Sequence, residues 1–297
     1  MSLSDLLKDF LLQKRLAGLS EQTIKDYDNM IGIFLQFVGP DTPTDYITYS
    51  VVQDYILDLF KRNLSKATTA SYIRNLRIFL RWVHKEYGLG FKPSKIIVPK
   101  SPKRLVHIYS DEEIEYLFSC AAVSVPWLTA HNRAIIALMF DSGLRQAEVC
   151  NLLHSCIDRS SKVLLVTGKG DKDRFVPIGA VSLALLDDYL SLCPYTDNKY
   201  VFLDRMGSKL TCNAIRVFVN RLKQKLPFDL CSHKLRHNFA TNYCIDSIRK
   251  SGHSNVYDLS IIMGHQSIDT TKRYEHFAHE ILATENRISH LDSVYKV

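Results

Sequence analysis

Three residues of the pentapeptide HKLRH, namely His233, Arg236 and His237, fall on one face if the segment is helical. Histidines four apart can share a metal ion, and a histidine–arginine pair can hold an anion such as a phosphate. Zinc peptidases with this histidine spacing place a glutamate directly after the first histidine as general base. Here Lys234 occupies that place, Arg236 adds another cation, and no acid follows before Asp246. A divalent metal would sit among like charges, so an anion is the better fit and no metal is expected. With Ser232 as N-cap, His233 and Arg236 would lie in a first helical turn, where free N–H groups and the helix dipole favour negative charge. Arginine adds a planar fork that matches two phosphate oxygens. Taken alone, the pentapeptide is equally consistent with a surface pair.

Three further stretches carry candidate chemistry. Arg145, in DSGLRQAEV (141–149), follows a glycine turn that interrupts apolar sequence. An arginine entering a largely apolar helix serves a buried anion or a carboxylate, and Glu148 stands three residues on. Lys169, in TGKGDKDR (167–174), occupies a polar turn between two β-rich runs. That turn is no nucleotide-binding P-loop, because the spacing differs and a strand follows where a helix is needed. In MGHQSIDTTKRYEHF (263–277), His265 follows Gly264, and Tyr274 lies nine residues later on a helix opened by Ser267. Taken singly, Tyr274 is one of 15 tyrosines and His265 a loop residue.

The elements that must position these groups are written in periodicity and caps. Four helices fill the first ninety residues: Leu3 to about Arg15, a second after Ser20, a third from Ser50 with Gln53 completing a capping box, and a fourth from Ser65 to near Gly88. The fourth places Ile73, Leu76, Phe79, Leu80 and Val83 on one side. Arg74, Arg77, Arg81 and Lys85 form a stripe on another. The stretch GFKPSKIIVPKSPKR (90–104) has three prolines, five cations and no acid, and reads as a basic extended linker. Beyond it we expect a capping box from Ser110 to Glu113, an apolar helix through AIIALMF (134–140) and a helix from Leu144. A hairpin should follow over 162–178, with helices from about 182 onward. The fold class is mainly α with a small β-sheet: a helical domain 1–89, a basic linker 90–106 and an α+β domain 107–297.

Composition limits the partners. The chain has 297 residues, 46% hydrophobic and 23% charged, with no apolar run of transmembrane length. Its start, MSLSDLLKDF, is acidic and amphipathic and unlike a signal peptide. Seven cysteines without a C-x-x-C pair suggest reduced thiols in a cytoplasmic protein. The net charge of +7 is unevenly placed, with 12 cations against the single acid Glu86 in 61–104. Such a block suits either a solvated helix face or a polyanion, and the turn-spaced arginine stripe favours a phosphate backbone.

The order of the motifs carries a family resemblance. Arg145 in GLRQAE, Lys169 in GKGDKDR, His233 and Arg236 in HKLRH, His265 in MGH and Tyr274 in TTKRYEH follow one another across about 130 residues. In order and approximate spacing they resemble the tyrosine recombinases, or phage integrase family, over nearly the whole chain. The resemblance implies an N-terminal helical core-binding (SAM-like) domain and a C-terminal catalytic domain ending in an interaction helix. It implies a simple recombinase of the Xer type or a small mobile-element integrase, with no separate arm-type DNA-binding domain. Two departures stand out. Residues around RKSGHS (249–254) exceed the family's usual spacing and should lengthen a helix–helix loop, and Ala147 replaces a frequent serine.

The roles that follow are those the resemblance implies. Tyr274 would attack a DNA phosphate and form a 3′-phosphotyrosine bond. His233 would be its base, Arg145 and Arg236 would clamp the non-bridging oxygens, and His265 would add a hydrogen bond. Lys169 would protonate the leaving 5′-oxygen, with His237 and Glu148 as supports. No cofactor, metal or ATP is called for, because the phosphotyrosine bond preserves the energy of the phosphodiester. Lys66, Arg74, Arg77, Arg81, Lys85, Lys100, Lys103 and Arg104 would contact DNA. The expected partners are double-stranded DNA with paired inverted half-sites and three further copies of the chain, as a tetramer on two duplexes. Accessory proteins are also compatible, a membrane is not, and the location would be the cytoplasm, at the nucleoid. Two alternatives stay open: a DNA-binding protein of this fold without catalysis, and a type IB topoisomerase-like enzyme.

Overall fold

The computed structural model describes residues 2–100, 107–168, 172–285 and 294. The chain divides into two compact units, Met1–Arg104 and Leu105–Val297. Among the described residues no helix is long and apolar enough to cross a membrane, and all seven cysteines are free.

The first unit packs α1 (Leu3–Leu16), α2 (Glu21–Val38), α3 (Tyr49–Lys61) and α4 (Lys66–Glu86) around Phe10, Ile31, Phe34, Tyr55 and Phe79. Ser2, Ser20, Thr48 and Ser65 cap these helices, each accepting from the N–H three residues on. Thr48 thus replaces the expected Ser50–Gln53 box, and α3 begins one residue earlier. Helix α4 buries Ile73, Leu76, Phe79, Leu80 and Val83, as its periodicity requires.

Its cation stripe needs correction. Arg74 and Arg81 are exposed, but Arg77 is half-buried and donates from Nη1 to the Ile96 carbonyl at 3.2 Å. Lys85 pairs with Glu86 at 3.1 Å, Lys66 and Lys100 are exposed, and Lys103 and Arg104 lie outside the described residues. The same Arg77 contact corrects the linker. Phe91, Pro93 and Ile96 are buried on the helices, and Pro93–Lys95 forms a 3₁₀ turn. These apolar side chains bind the first half of the basic stretch into the first unit, and the division between the units, after Arg104, falls inside the stretch 90–106.

The second unit begins with α5 (Asp111–Cys120), opened by the expected Ser110–Glu113 capping box. Helix α6 (Pro126–Asp141) is apolar on almost every side and forms the centre of the core. After α7 (Gln146–Asn151) come β1 (Ile157–Asp158), β2 (Val163–Thr167) and β3 (Asp173–Pro177), an antiparallel sheet in the order β1-β2-β3. The hairpin register pairs Leu165 with Phe175, and Gly168 N–H bonds the Lys172 carbonyl at 2.8 Å. Lys169 lies outside the described residues. Helix α8 (Ala180–Leu192) packs on α6.

Residues 193–211 are not helical, contrary to expectation. Asp204 Oδ1 accepts from the N–H groups of Met206 and Ser208, and with Gly207 at φ +76° it makes a tight turn bridged by Leu203 and Lys209. Then follow α9 (Cys212–Lys223), α10 (Ser232–Ser251), α11 (Val256–Met263) and α12 (Asp269–Glu285). Arg249 and Lys250 extend α10, which ends at a left-handed Gly252, so the extra residues lengthen the helix and leave a short connection. The second half of α10 packs with α11 and α12 as a separate apolar cluster that includes Tyr274.

Candidate active site

Helix α10 delivers the HKLRH residues, although its cap differs from expectation. Cys231 occupies the N-cap and makes no side-chain cap bond. Ser232 is the first helical residue, and its hydroxyl accepts from Gln146 Nε2 at 2.6 Å. That bond joins the residue beside Arg145 to the residue beside His233. Arg236, 5% exposed, donates from Nη1 to the Gly143 carbonyl and from Nη2 to the Met263 carbonyl at 2.5 Å. It therefore ties together the chain segments that follow α6 and close α11, whose carbonyls lack helical partners. Gly143 is needed at its place, because φ is +62° and a Cβ would collide with the Phe239 ring.

One buried carboxylate organises three guanidiniums. Glu148 accepts from the Arg145 backbone N–H and from Arg145 Nη1, each at 2.8 Å, and from Arg174 Nη1 and Nη2 at 2.8 and 3.0 Å. Arg236 Nη1 stands 4.0 Å from the same carboxylate. Burial alone would raise the Glu148 carboxyl, but the bonds to Arg174 and Arg145 outweigh it and hold it below the usual range. Three cations on one anion leave a formal surplus of two positive charges, which suits a phosphate. Arg145 also donates to the Gly264 carbonyl at 3.3 Å, and Arg174 Nε to the Ile262 carbonyl at 2.6 Å. Gly264 sits at φ +59°, and a Cβ there would lie 3.2 Å from the Arg174 side chain.

The two remaining groups come from the end of the unit. His265 Nδ1 is 2.7 Å from the hydroxyl of fully buried Thr271. Burial first, then Arg236, Arg145, Arg273 and Arg174, push its imidazole down to about 4. Tyr274 is 2% exposed, and its hydroxyl is 2.7 Å from His237 Nδ1. Burial raises the phenol, and Arg236, Arg273 and Arg145 act in the opposite direction. The His265 and Tyr274 rings stack with centroids 6.2 Å apart.

His237, given only a supporting part by the sequence, therefore touches the tyrosine hydroxyl directly. His233 is exposed, with its ring edge-on to that of His237 at 5.5 Å. It lines a cavity of about 380 Å³ together with Arg145 and Arg236. Although its edge is open to solvent, the surrounding protein partly desolvates its imidazole and, with Arg236 and Arg145, lowers it. Arg145, Glu148, Arg236, His237, His265 and Tyr274 are thus linked into one site with His233 at its mouth. Among the described residues, no group of three or more His, Cys, Asp or Glu side chains could hold a metal.

Sequence reasoning missed Arg174. The available signal was alternation: on β3, Arg174 and Val176 share the buried side while Phe175 faces out. An arginine in the inward row of a strand needs a buried acid.

A helical unit with a small sheet, which gathers surplus guanidiniums around a tyrosine, defines a protein built to bring that tyrosine to an anion. Residues 109–280 match the phage integrase family, and residues 6–88 match the phage integrase N-terminal SAM-like domain. The chain belongs to the phage integrase family, the tyrosine recombinases. It is similar to tyrosine recombinase XerC of Bacillus pumilus, 28% identical over 290 residues, which span 93% of this chain and 92% of that one. Its fold is that of the Tn1549 transposon integrase in complex with circular intermediate DNA, with a TM-score of 0.74 at 19% identity, covering 92% of this chain and 95% of that one. The XerH site-specific recombinase bound to palindromic difH substrate gives 0.70 at 23% identity, covering 95% and 83%.

Proposed function

We propose that this chain is a site-specific DNA recombinase that cuts and rejoins double-stranded DNA through a 3′-phosphotyrosine intermediate at Tyr274. The observation that carries the assignment is the guanidinium surplus around Glu148, placed beside a tyrosine whose hydroxyl meets a histidine of the same site.

The chemistry follows from charge. As Tyr274 attacks, negative charge builds on the non-bridging phosphate oxygens. Arg145 and Arg236 are already held by Glu148 and by backbone carbonyls, so they stabilise that charge without reorganising. Arg236 uses two of its five N–H donors on the protein and keeps the others for substrate. His233, at the cavity mouth, and His265 complete the oxygen contacts. Lys169, outside the described residues, donates a proton to the leaving 5′-oxygen. A 5′-hydroxyl from another strand then reclaims the phosphate and releases the tyrosine. Exchange between duplexes calls for four copies of the chain on two DNA sites, each with inverted half-sites. Exposed Lys66, Arg74, Arg81 and Lys100 supply backbone contacts.

The test is trapping on a nicked DNA substrate that cannot religate. The wild-type chain should become covalently attached to the 3′ side of the break, and Tyr274→Phe should not. Attachment by the phenylalanine variant would mean that another residue is the nucleophile. No attachment by the wild type at any site would leave a DNA-binding protein of this fold.

A further inference from the structure

We infer that His237, one helical turn beyond His233, takes the proton from the Tyr274 hydroxyl as that oxygen attacks. The inference rests on the recombinase reading above and adds a residue to its chemistry.

A general base must lie within hydrogen-bond reach of the proton that it removes. Nδ1 of His237 is 2.7 Å from the Tyr274 oxygen, and among the described residues it is that hydroxyl's hydrogen-bonding side chain. The pairing is set by the fold: α10 and α12 pack against one another, and the Tyr274 ring is seated in their shared apolar cluster. His233 instead stands at the cavity mouth beside Arg145 and Arg236, a place suited to a phosphate oxygen.

The charges around the pair define when transfer occurs. His237 is faced by His233 and Arg236 from its own helix and by Arg273 and Tyr274 from α12. Burial, followed by His233, Arg273 and Arg236, holds its imidazole down to about 4, so the ring is neutral, and in the Nε2–H tautomer its Nδ1 accepts from the Tyr274 hydroxyl. A phosphate seated on the guanidiniums brings negative charge beside the pair. That charge offsets the cations that disfavour imidazolium, so proton uptake becomes easier only when substrate is present.

In the step itself the Tyr274 O–H bond breaks and an Nδ1–H bond forms on His237. The phenolate oxygen bonds to phosphorus, and the bond to the 5′-oxygen breaks with its electron pair. That oxygen takes its proton from the separate leaving-group donor. On rejoining, imidazolium His237 returns its proton to the departing tyrosine oxygen.

Single-turnover cleavage of trapping DNA by the full chain tests this. Two substrates are needed, one normal and one with sulfur at the 5′-bridging position, a leaving group that requires no protonation. His237→Ala should slow cleavage of both by about 10²-fold or more and remove the acid limb of the pH–rate profile. His237→Asn places an amide where Nδ1 was, so it can hold the hydroxyl but cannot take its proton, and it should be as slow as alanine. Recovery of the rate by asparagine would reduce His237 to a positioning residue and overturn the inference. So would disappearance of the alanine defect on the sulfur substrate, because His237 would then serve the leaving group. In either case wild-type trapping and its loss in Tyr274→Phe would leave the recombinase reading standing.

Discussion

The two units use arginine in opposite ways. On α4, Arg74 and Arg81 project into solvent, with no acidic partner among the described residues, while the core beneath them is apolar. In the second unit the Arg174 and Arg236 side chains are 7% and 6% exposed and are held on a Glu148 carboxylate that is 4% exposed. An exposed cation costs little to keep and contributes affinity that salt weakens. A buried one is fixed in direction and effective in a low dielectric, but it cannot lose its partner without large cost.

The sharpest way to break this contrast is Glu148→Ala. Three guanidiniums would lose their shared anion, and we expect a loss of about 3–5 kcal/mol in denaturant unfolding of the second unit. Hydrogen exchange should show the first unit unchanged. A loss below about 1 kcal/mol would mean that the cluster is solvated and the contrast false. Next in size, Arg236→Lys should slow cleavage about 10²–10³-fold, since an ammonium cannot reach two carbonyls and a phosphate at once.

Acid should separate the units too. His237, His265 and buried His131 are each held to about 4 in the folded chain, against an ordinary value near 6.5 once unfolded. Between those values the unfolded chain binds protons that the folded chain refuses. Stability of the second unit is therefore lost as pH falls from about 6.5 towards 4, by roughly 1 kcal/mol per histidine per pH unit. Hydrogen exchange at pH 7.5 and 5.5 should show protection falling in α10 and α12 ahead of α1 to α4. The smallest effects belong to α4: Arg74→Ala and Arg81→Ala should change stability by less than about 0.5 kcal/mol. Each should lower the slope of log affinity for DNA against log salt by about 1. Arg77→Ala should cost more stability than either, because its bond to Ile96 holds the following segment.

The same contrast marks what could be read in the sequence. The α4 face and the Ser110 capping box were legible because their partners lie within four residues. The order of six residues in five motifs identified the family, since a chain-wide pattern survives without coordinates. Arg174 was not legible, because its acid is 26 residues away and only strand pairing brings them together. His237 looked like a support because its partner lies 37 residues on, across a helix pair. The linker looked extended because proline and lysine outnumbered the two apolar side chains, Phe91 and Ile96, that pin it down.

Gly264 offers something different from any catalytic side chain. Its carbonyl receives Arg145, its missing side chain makes room for Arg174, and the next residue is His265. At φ +59° an alanine is strained by about 1 kcal/mol and presses on the Arg174 guanidinium. One methyl group there would act as a dimmer. It would turn the whole site down by degrees while leaving every reacting atom in the chain unaltered, and so offers an engineer a way to tune turnover without redesigning the chemistry.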